Sequence, residues 1–167
     1  MANKGAFLGV LGILLGIGGI GFGVVNWIYQ PTIPYGPHWY SYNNDQFYPS
    51  TLYVYFPIPN ISIVFELERP MSLHLLFRSS AFCLGDPGSY SDLFFYFMIN
   101  GVQQTEMPWT RVGSFESSTT YEYYSVTLQH YIDFLPAGIY NITVAVMTQR
   151  LGNYVREPTF WIQSYIA

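Results

Sequence analysis

Charged residues are scarce in this sequence. Lys, Arg, Asp and Glu together make up 10% of the 167 residues, against about 25% in an average soluble domain. Six basic residues and a net charge of −4 leave no basic stripe of the kind that neutralises nucleic-acid phosphates. The composition therefore predicts that the protein does not bind nucleic acid.

Cysteine is almost absent. Cys83 is the single cysteine, so the chain cannot form an internal disulfide. It lies in the run Ala-Phe-Cys-Leu, which indicates a small buried hydrophobe, and no basic neighbour or helix start would lower the pKa of its thiol. The alternatives are an intermolecular disulfide and a catalytic thiol.

Motifs for catalysis and metal binding are also missing. His38, His74 and His130 are far apart and have no metal-ligand spacing, and His130 falls on the apolar side of its predicted strand, as a core or rim histidine would. There is no nucleophile elbow and no glycine-rich phosphate loop. Asp86 and Asp92 flank a Gly/Ser-rich loop that could ligate Ca²⁺, but turn and cap roles explain them equally well. We expect no enzyme, no cofactor and no metal site.

Aromatic residues are abundant instead. They reach 20% of the chain and include 16 Tyr. A surface poor in Lys and Glu must be covered by Tyr, Ser, Thr, Asn and Gln. Such a surface is typical of extracellular domains and subunit interfaces, where Tyr offers apolar area together with a hydroxyl.

The chain begins with a short basic start, residues 1–5, and an uncharged apolar run, Ala6–Tyr29. As a helix this run would be roughly 36 Å long, enough to cross a hydrocarbon layer of about 30 Å. Lys4 predicts a cytoplasmic N-terminus with the rest of the chain outside. A cleaved signal peptide has a shorter apolar core and a small-residue exit, so the run favours an uncleaved single-pass membrane anchor.

Glycines in this run repeat at helical spacing. Two sets spaced seven apart interleave into one stripe, formed by Gly5, Gly9, Gly12, Gly16, Gly19 and Gly23. A stripe without side chains lets another helix approach closely in lipid. It predicts helix self-association, so lipid or sister helices would surround residues 6–29. The alternative is that glycine is simply frequent in membrane helices.

After a proline-rich linker, residues 30–47, alternating hydrophobicity predicts an extracellular β-sandwich over residues 48–167. About nine strands favour a jelly roll: Thr51–Phe56, Ile61–Glu68, Met71–Arg78, Leu93–Ile99, Val102–Glu106, Trp109–Phe115, Tyr121–Phe134, Ile139–Thr148 and Thr159–Ile166. Asn100-Gly101 predicts a tight hairpin turn. Val126, Leu128, Ile132 and Phe134 are expected to face the core.

The strand Leu93–Ile99 is apolar on both faces, so it must be covered twice. One cover is the domain's own core. The second face, formed by Phe94, Tyr96 and Met98, predicts a subunit interface, or else a position under a long loop.

Two sequons, Asn60-Ile-Ser62 and Asn141-Ile-Thr143, place Asn60 and Asn141 as glycosylation sites. An extracytoplasmic domain would make both usable.

The layout resembles small archaeal cell-surface proteins, through Asn3-Lys-Gly-Ala-Phe-Leu-Gly9 and the stretches Ser125–Tyr131 and Pro136-Ala-Gly-Ile-Tyr140. The last two resemble the penultimate hairpin of tumour-necrosis-factor/C1q-type jelly rolls. This resemblance implies a compact trimer-forming domain.

Lys4-Gly5 before an apolar helix also resembles archaeal type IV pilins and archaellins. That resemblance implies a helical filament with the helix in its core beneath an outer β domain.

The sequence thus predicts a non-enzymatic cell-surface structural or binding protein that self-associates as a homo-oligomer through its helix and sandwich. The alternatives are a subunit of an extracellular filament and a ligand-binding receptor ectodomain.

Changing Gly12, Gly16 and Gly19 to Leu should abolish assembly through the helix, because side chains would then fill the stripe. The oligomer size of the full chain in detergent micelles measures the effect. Changing Val10 and Ile13 to Leu is the control, and an unchanged oligomer in the glycine variant would refute the stripe hypothesis.

Overall fold

The computed structural model describes residues 35–85, 87–115 and 120–166. The predicted helix over residues 6–29 and the six glycines of the predicted stripe lie outside the described residues. The part that is described contains strands and turns and no helix, and so it holds no helix long and apolar enough to cross a membrane.

Strands account for most of this part of the chain. Their bounds are β1 Tyr35–Tyr42, β2 Gln46–Phe47, β3 Tyr55–Pro57, β4 Ile63–Leu67, β5 Met71–Gly85, β6 Tyr90–Ile99, β7 Val102–Gln103, β8 Thr110–Phe115, β9 Thr120–Leu135, β10 Gly138–Thr148 and β11 Tyr154–Ile166.

The strands form two antiparallel sheets. Sheet A has the order β1-β11-β5-β9, and β2 also pairs with β11. Sheet B has the order β3-β10-β6-β7, with β4 pairing with β10 and β8 with β6. In sheet A, β1 and β2 lie along the same edge. In sheet B, β3 and β4 share one edge and β7 and β8 share the other. Each sheet is therefore four strands wide.

Phenylalanines from the two sheets meet in the core. The ring of Phe77 in β5 lies 5.8 Å from that of Phe95 in β6, and the ring of Phe97 lies 5.9 Å from that of Phe160 in β11. All four side chains are fully buried. Two sheets packed through alternating inward residues make a β-sandwich, so the predicted all-β fold is confirmed.

The first strand lies inside the segment that the sequence assigns to the linker. β1 pairs with β11, with Tyr40 opposite Trp161 and Tyr42 opposite Thr159. The sequence pattern does not predict this strand, because it contains Pro37 and proline is unfavourable in most strands. It is accommodated here at an edge, where the register shifts between Tyr35 and His38.

A β-bulge reverses the predicted facing at the end of β9. Leu73 of β5 is opposite Ile132, but Met71 is opposite Leu135, so β9 has one extra residue between these pairs. Leu135 therefore packs against the core, whereas Phe134 is 60% exposed. The prediction that Phe134 faces the core is wrong, while Val126 and Leu128 are buried as expected.

The turn predicted at Asn100-Gly101 is confirmed. Ile99 and Val102 are paired across it, and φ is +51° at Asn100 and +79° at Gly101. Two consecutive residues with positive φ are the requirement of a type I′ hairpin turn.

A buried amide joins the two sheets at one end of the sandwich. The Oδ1 atom of Asn153 accepts hydrogen bonds from the backbone N–H of Leu84 at 2.9 Å and from the hydroxyl of Ser91 at 3.0 Å. Its Nδ2 atom donates to the hydroxyl of Thr148 at 3.2 Å. Leu84 belongs to sheet A, and Ser91 and Thr148 belong to sheet B, so this side chain links the layers.

Changing Asn153 to Ala should lower the free energy of unfolding by about 3 kcal/mol, because several buried polar groups lose their partners together. Urea denaturation monitored by fluorescence measures the change. Asn44, which is exposed, gives the control variant Asn44→Ala, with an expected change within about 0.5 kcal/mol. Equal effects of the two substitutions would contradict this account of the buried amide.

Candidate functional site

The outer face of sheet A begins with an aromatic cluster at one end. The ring of Phe82 stacks on that of Tyr154 at 4.7 Å and meets the edge of Tyr123 at 5.1 Å. Tyr48 lies 5.0 Å from Tyr154, and Tyr121 lies 6.0 Å from Phe82. Tyr121 and Tyr123 are each 69% exposed, so the cluster presents apolar ring area to solvent.

The Tyr154 hydroxyl in this cluster is neutral. The Tyr154 hydroxyl donates to that of Tyr123 at 3.5 Å. This hydrogen bond, and burial to a smaller extent, raise the pKa of Tyr154 to about 12. The Tyr154 hydroxyl therefore adds no charge to the face near neutral pH.

The register places further aromatic side chains on the same face, since residues directly opposite each other in antiparallel strands point to one side. Tyr40 is opposite Trp161, Trp161 is opposite Leu76, and Leu76 is opposite Gln129. These four side chains form one row across the middle of sheet A. We call this whole outward side, from the Tyr121 row to the Tyr131 row, the outer face of sheet A.

An open cleft of about 400 Å³ lies at the other end of β9, lined by His74, Gln129, His130, Tyr131 and Tyr165. Burial lowers the pKa of His130. Its side chain is half-buried at the edge of the sandwich, which is the position expected of a rim histidine. The third histidine, His38, is exposed on β1. The described residues contain no group of three His, Cys, Asp or Glu side chains that could hold a metal ion.

On the outer face of sheet B, the side chains proposed from the sequence as an interface are half-buried. Phe94, Tyr96 and Met98 all point away from the core. Trp109 lies over two of them, with ring centroids 5.8 Å from Phe94 and 6.1 Å from Tyr96. Tyr55 meets Tyr96 edge-on at 4.8 Å. Side chains of the same chain thus cover part of the outward face of β6.

Arg111 and Asp92 form a further contact on this side. The Arg111 guanidinium lies 2.7 Å from the Asp92 carboxylate and 5.7 Å from the rings of Tyr90 and Phe94. Asp92 is 1% exposed, and Gly113 opposite it leaves no room for a side chain, since a Cβ there would lie 2.2 Å from an Asp92 oxygen. Asp92 therefore serves as a buried structural partner of Arg111; Asp86 lies outside the described residues.

The two sequons differ in their surroundings. Asn60 lies in a turn before β4 with φ of +62°, and both Asn60 and Ser62 are exposed. Asn141 is exposed on the outer side of β10, but Thr143 is buried with its hydroxyl unpaired. The turn makes Asn60 the more accessible of the two predicted glycosylation sites.

No protein-family model matches the sequence, and no curated protein matches it. The register brings together aromatic residues from β1, β5, β9 and β11 that are distant in the sequence, and pattern analysis missed this surface. The alternating tyrosines of β9, Tyr121, Tyr123 and Tyr131, were the signal that could have indicated it.

The single cysteine is confirmed as a buried residue. Its sulfur donates a weak hydrogen bond to the Val112 carbonyl at 3.8 Å. Burial, followed by the charges of Asp92 and Glu122, raises the pKa of Cys83 from 9.0 to about 12. The thiol is therefore protonated at physiological pH and is a poor nucleophile.

At about pH 8 the raised pKa lowers the thiolate fraction of Cys83 roughly 1,000-fold, because each pKa unit changes that fraction about tenfold. Labelling with a chromogenic disulfide reagent should therefore be at least about 1,000-fold slower in the native protein than in urea. The absorbance change measures both rates, and comparable rates would contradict the burial of this thiol.

Proposed function

We propose that this protein is a non-enzymatic cell-surface protein with a structural or binding role, and that it self-associates through its N-terminal helix and its sandwich. The outer face of sheet A carries the proposal. Exposed rings of β1, β9 and β11 lie along it, and Arg78 and Arg156 are the basic residues of its middle rows. Monomeric soluble proteins rarely expose large contiguous apolar patches, and such patches mark interaction surfaces.

The residue types on this face suit a contact between proteins. Tyrosine supplies large contact area with few rotatable bonds, so little conformational entropy is lost when it is immobilised. Aromatic residues are enriched and lysines depleted in interface centres, and lysine is equally scarce in this chain, which has Lys4 alone. This composition supports a binding or assembly role over catalysis.

Residues 6–29 are proposed to anchor the protein, with the N-terminus in the cytoplasm and the sandwich outside. The apolar length of the segment and the position of Lys4 support this orientation. The exposed sequon at Asn60 agrees with an extracytoplasmic domain, where glycosylation takes place.

The finer topology is proposed to be a jelly roll of the tumour-necrosis-factor/C1q type. Eight strand positions are divided between the sheets in the orders β1-β11-β5-β9 and β3-β10-β6-β7, which supports two interlocked Greek keys. The turn after Pro136 leads from β9 in sheet A to β10 in sheet B, so it is a crossover between sheets and not a paired hairpin. Tyr140 donates to the Pro136 carbonyl at 3.0 Å and braces this crossover.

A subunit of an extracellular filament is the second candidate. The basic residue and glycine at Lys4-Gly5, before a helix with glycines at heptad spacing, favour it. In a filament the apolar helices would be hidden by one another, whereas in an anchor they would be hidden by lipid. A ligand-binding ectodomain is the remaining alternative.

Mass spectrometry of the native N-terminus and electron microscopy of purified surface material should separate these candidates. An anchor retains residues 1–5 and fractionates with membrane as small oligomers. A mature chain that starts at Gly5 or Ala6, within long regular filaments, would establish the filament instead. A full chain that stays monomeric in micelles at all concentrations would overturn self-association in either form.

A further inference from the structure

We propose that the outer face of sheet A is the surface through which the sandwich binds a second copy of this chain. The inference rests on the proposed function and deepens it, because it assigns the contact to one of two faces. It differs from the interface at Phe94, Tyr96 and Met98 that the sequence pattern predicts on sheet B.

Exposed rings are the first support. Tyr40 is 62% exposed, Tyr42 49% and Tyr131 49%, in addition to the strongly exposed Tyr121 and Tyr123. The ladder pairing places all five on the outer side of sheet A. They reach from one end of the sheet to the other, so the apolar area is spread across the face and is not confined to one pocket.

The polar residues between these rings can bind an identical surface. In two neighbouring rows Ser80 is opposite Ser125, and Arg78 is opposite Thr127. Hydroxyls both donate and accept hydrogen bonds, so a face made of them can pair with a copy of itself, as a symmetric contact requires.

Charge does not oppose such a contact. Arg156 in one of these rows lies 3.0 Å from Glu157, which offsets its charge locally. Arg78 is then the main basic group in the middle of the face. A strongly charged face would repel its own copy, whereas this one carries little net charge of either sign.

The size of the face matches a stable contact. Four strands at about 4.8 Å spacing, over the roughly ten residues from the Tyr121 row to the Tyr131 row, cover about 650 Å² of flat area. Specific, stable protein interfaces bury about 600–1,000 Å² on each partner. The face is therefore large enough to hold a second copy without an additional element.

The outer face of sheet B is less suited to the same role. Its most apolar side chains on β6 are partly covered by Trp109 and Tyr55 of the same chain. The sequon at Asn141 also lies on this side, on β10. A glycan attached there would keep another protein from packing against this surface. Neither sequon residue, Asn60 or Asn141, belongs to the outer face of sheet A.

The order of the chain favours a second copy as the occupant. β1, the first strand, forms an edge of sheet A, and the predicted self-associating segment directly precedes it. Association of two such segments would raise the effective concentration of the tethered sandwiches to about the millimolar range. A contact of modest affinity between the faces would then suffice.

Charge insertion in the full chain in detergent micelles tests the assignment. The double variant Tyr40→Glu/Tyr123→Glu should raise the dissociation constant of the oligomer at least about tenfold, because it would bury carboxylates without partners. The matched control Val64→Glu/Val102→Glu changes side chains that are 65% and 63% exposed on sheet B. This control should alter the dissociation constant less than about twofold. Sedimentation velocity measures both, and near-UV circular dichroism checks the fold.

Two further measurements keep the test decisive if the first variant misfolds. Ser125→Arg/Thr127→Arg changes the same face at small polar positions and should weaken the oligomer similarly. Hydroxyl-radical footprinting of the unchanged protein should protect Tyr40 and Tyr123 in the oligomer relative to the diluted monomer. A wild-type chain that oligomerises with these tyrosines fully labelled would overturn this inference while self-association stands, and a wild type that never oligomerises would overturn both.

Discussion

The burial of one face of each sheet against the other is the constraint on which this structure depends. Phe77 and Phe160 from sheet A pack against Phe95 and Phe97 from sheet B. Because ladder hydrogen bonds hold the strands in register, each inward side chain determines which neighbour points outward. The same requirement that fills the core therefore assembles the rows of tyrosines on the outside.

Polar groups secure the sandwich where hydrophobic packing alone leaves donors and acceptors unpaired. Asn153 links the ends of β5, β6 and β10 through its amide, and Arg111 neutralises the buried carboxylate of Asp92. Both contacts lie toward the same end of β6, near Cys83. The ion pair gives Asp92, which the sequence offers as a candidate calcium ligand, a structural role.

The two outer faces are not equivalent. Sheet B covers part of its outward strand β6 with Trp109 and Tyr55. Its most exposed large hydrophobic side chains are the aliphatic Val64, Val102 and Ile139. Sheet A instead leaves the aromatic Tyr121 and Tyr123 mostly in solvent. The proposed contact with a second copy would cover these exposed rings. An assembling N-terminal segment would act together with it, since each contact raises the local concentration for the other.

Local patterns predicted the β class, the Asn100-Gly101 turn and the buried Cys83, because alternation and turn chemistry act between close neighbours. The apolar run at residues 6–29 and its glycine stripe are likewise properties of the sequence. Tertiary pairing decided the rest: it recruited β1 despite Pro37, and its bulge exchanged Phe134 for Leu135 at the core. It also gathered tyrosines from β1, β9 and β11 onto one face. Such choices depend on which strands become neighbours, and that follows from burying the whole core at once.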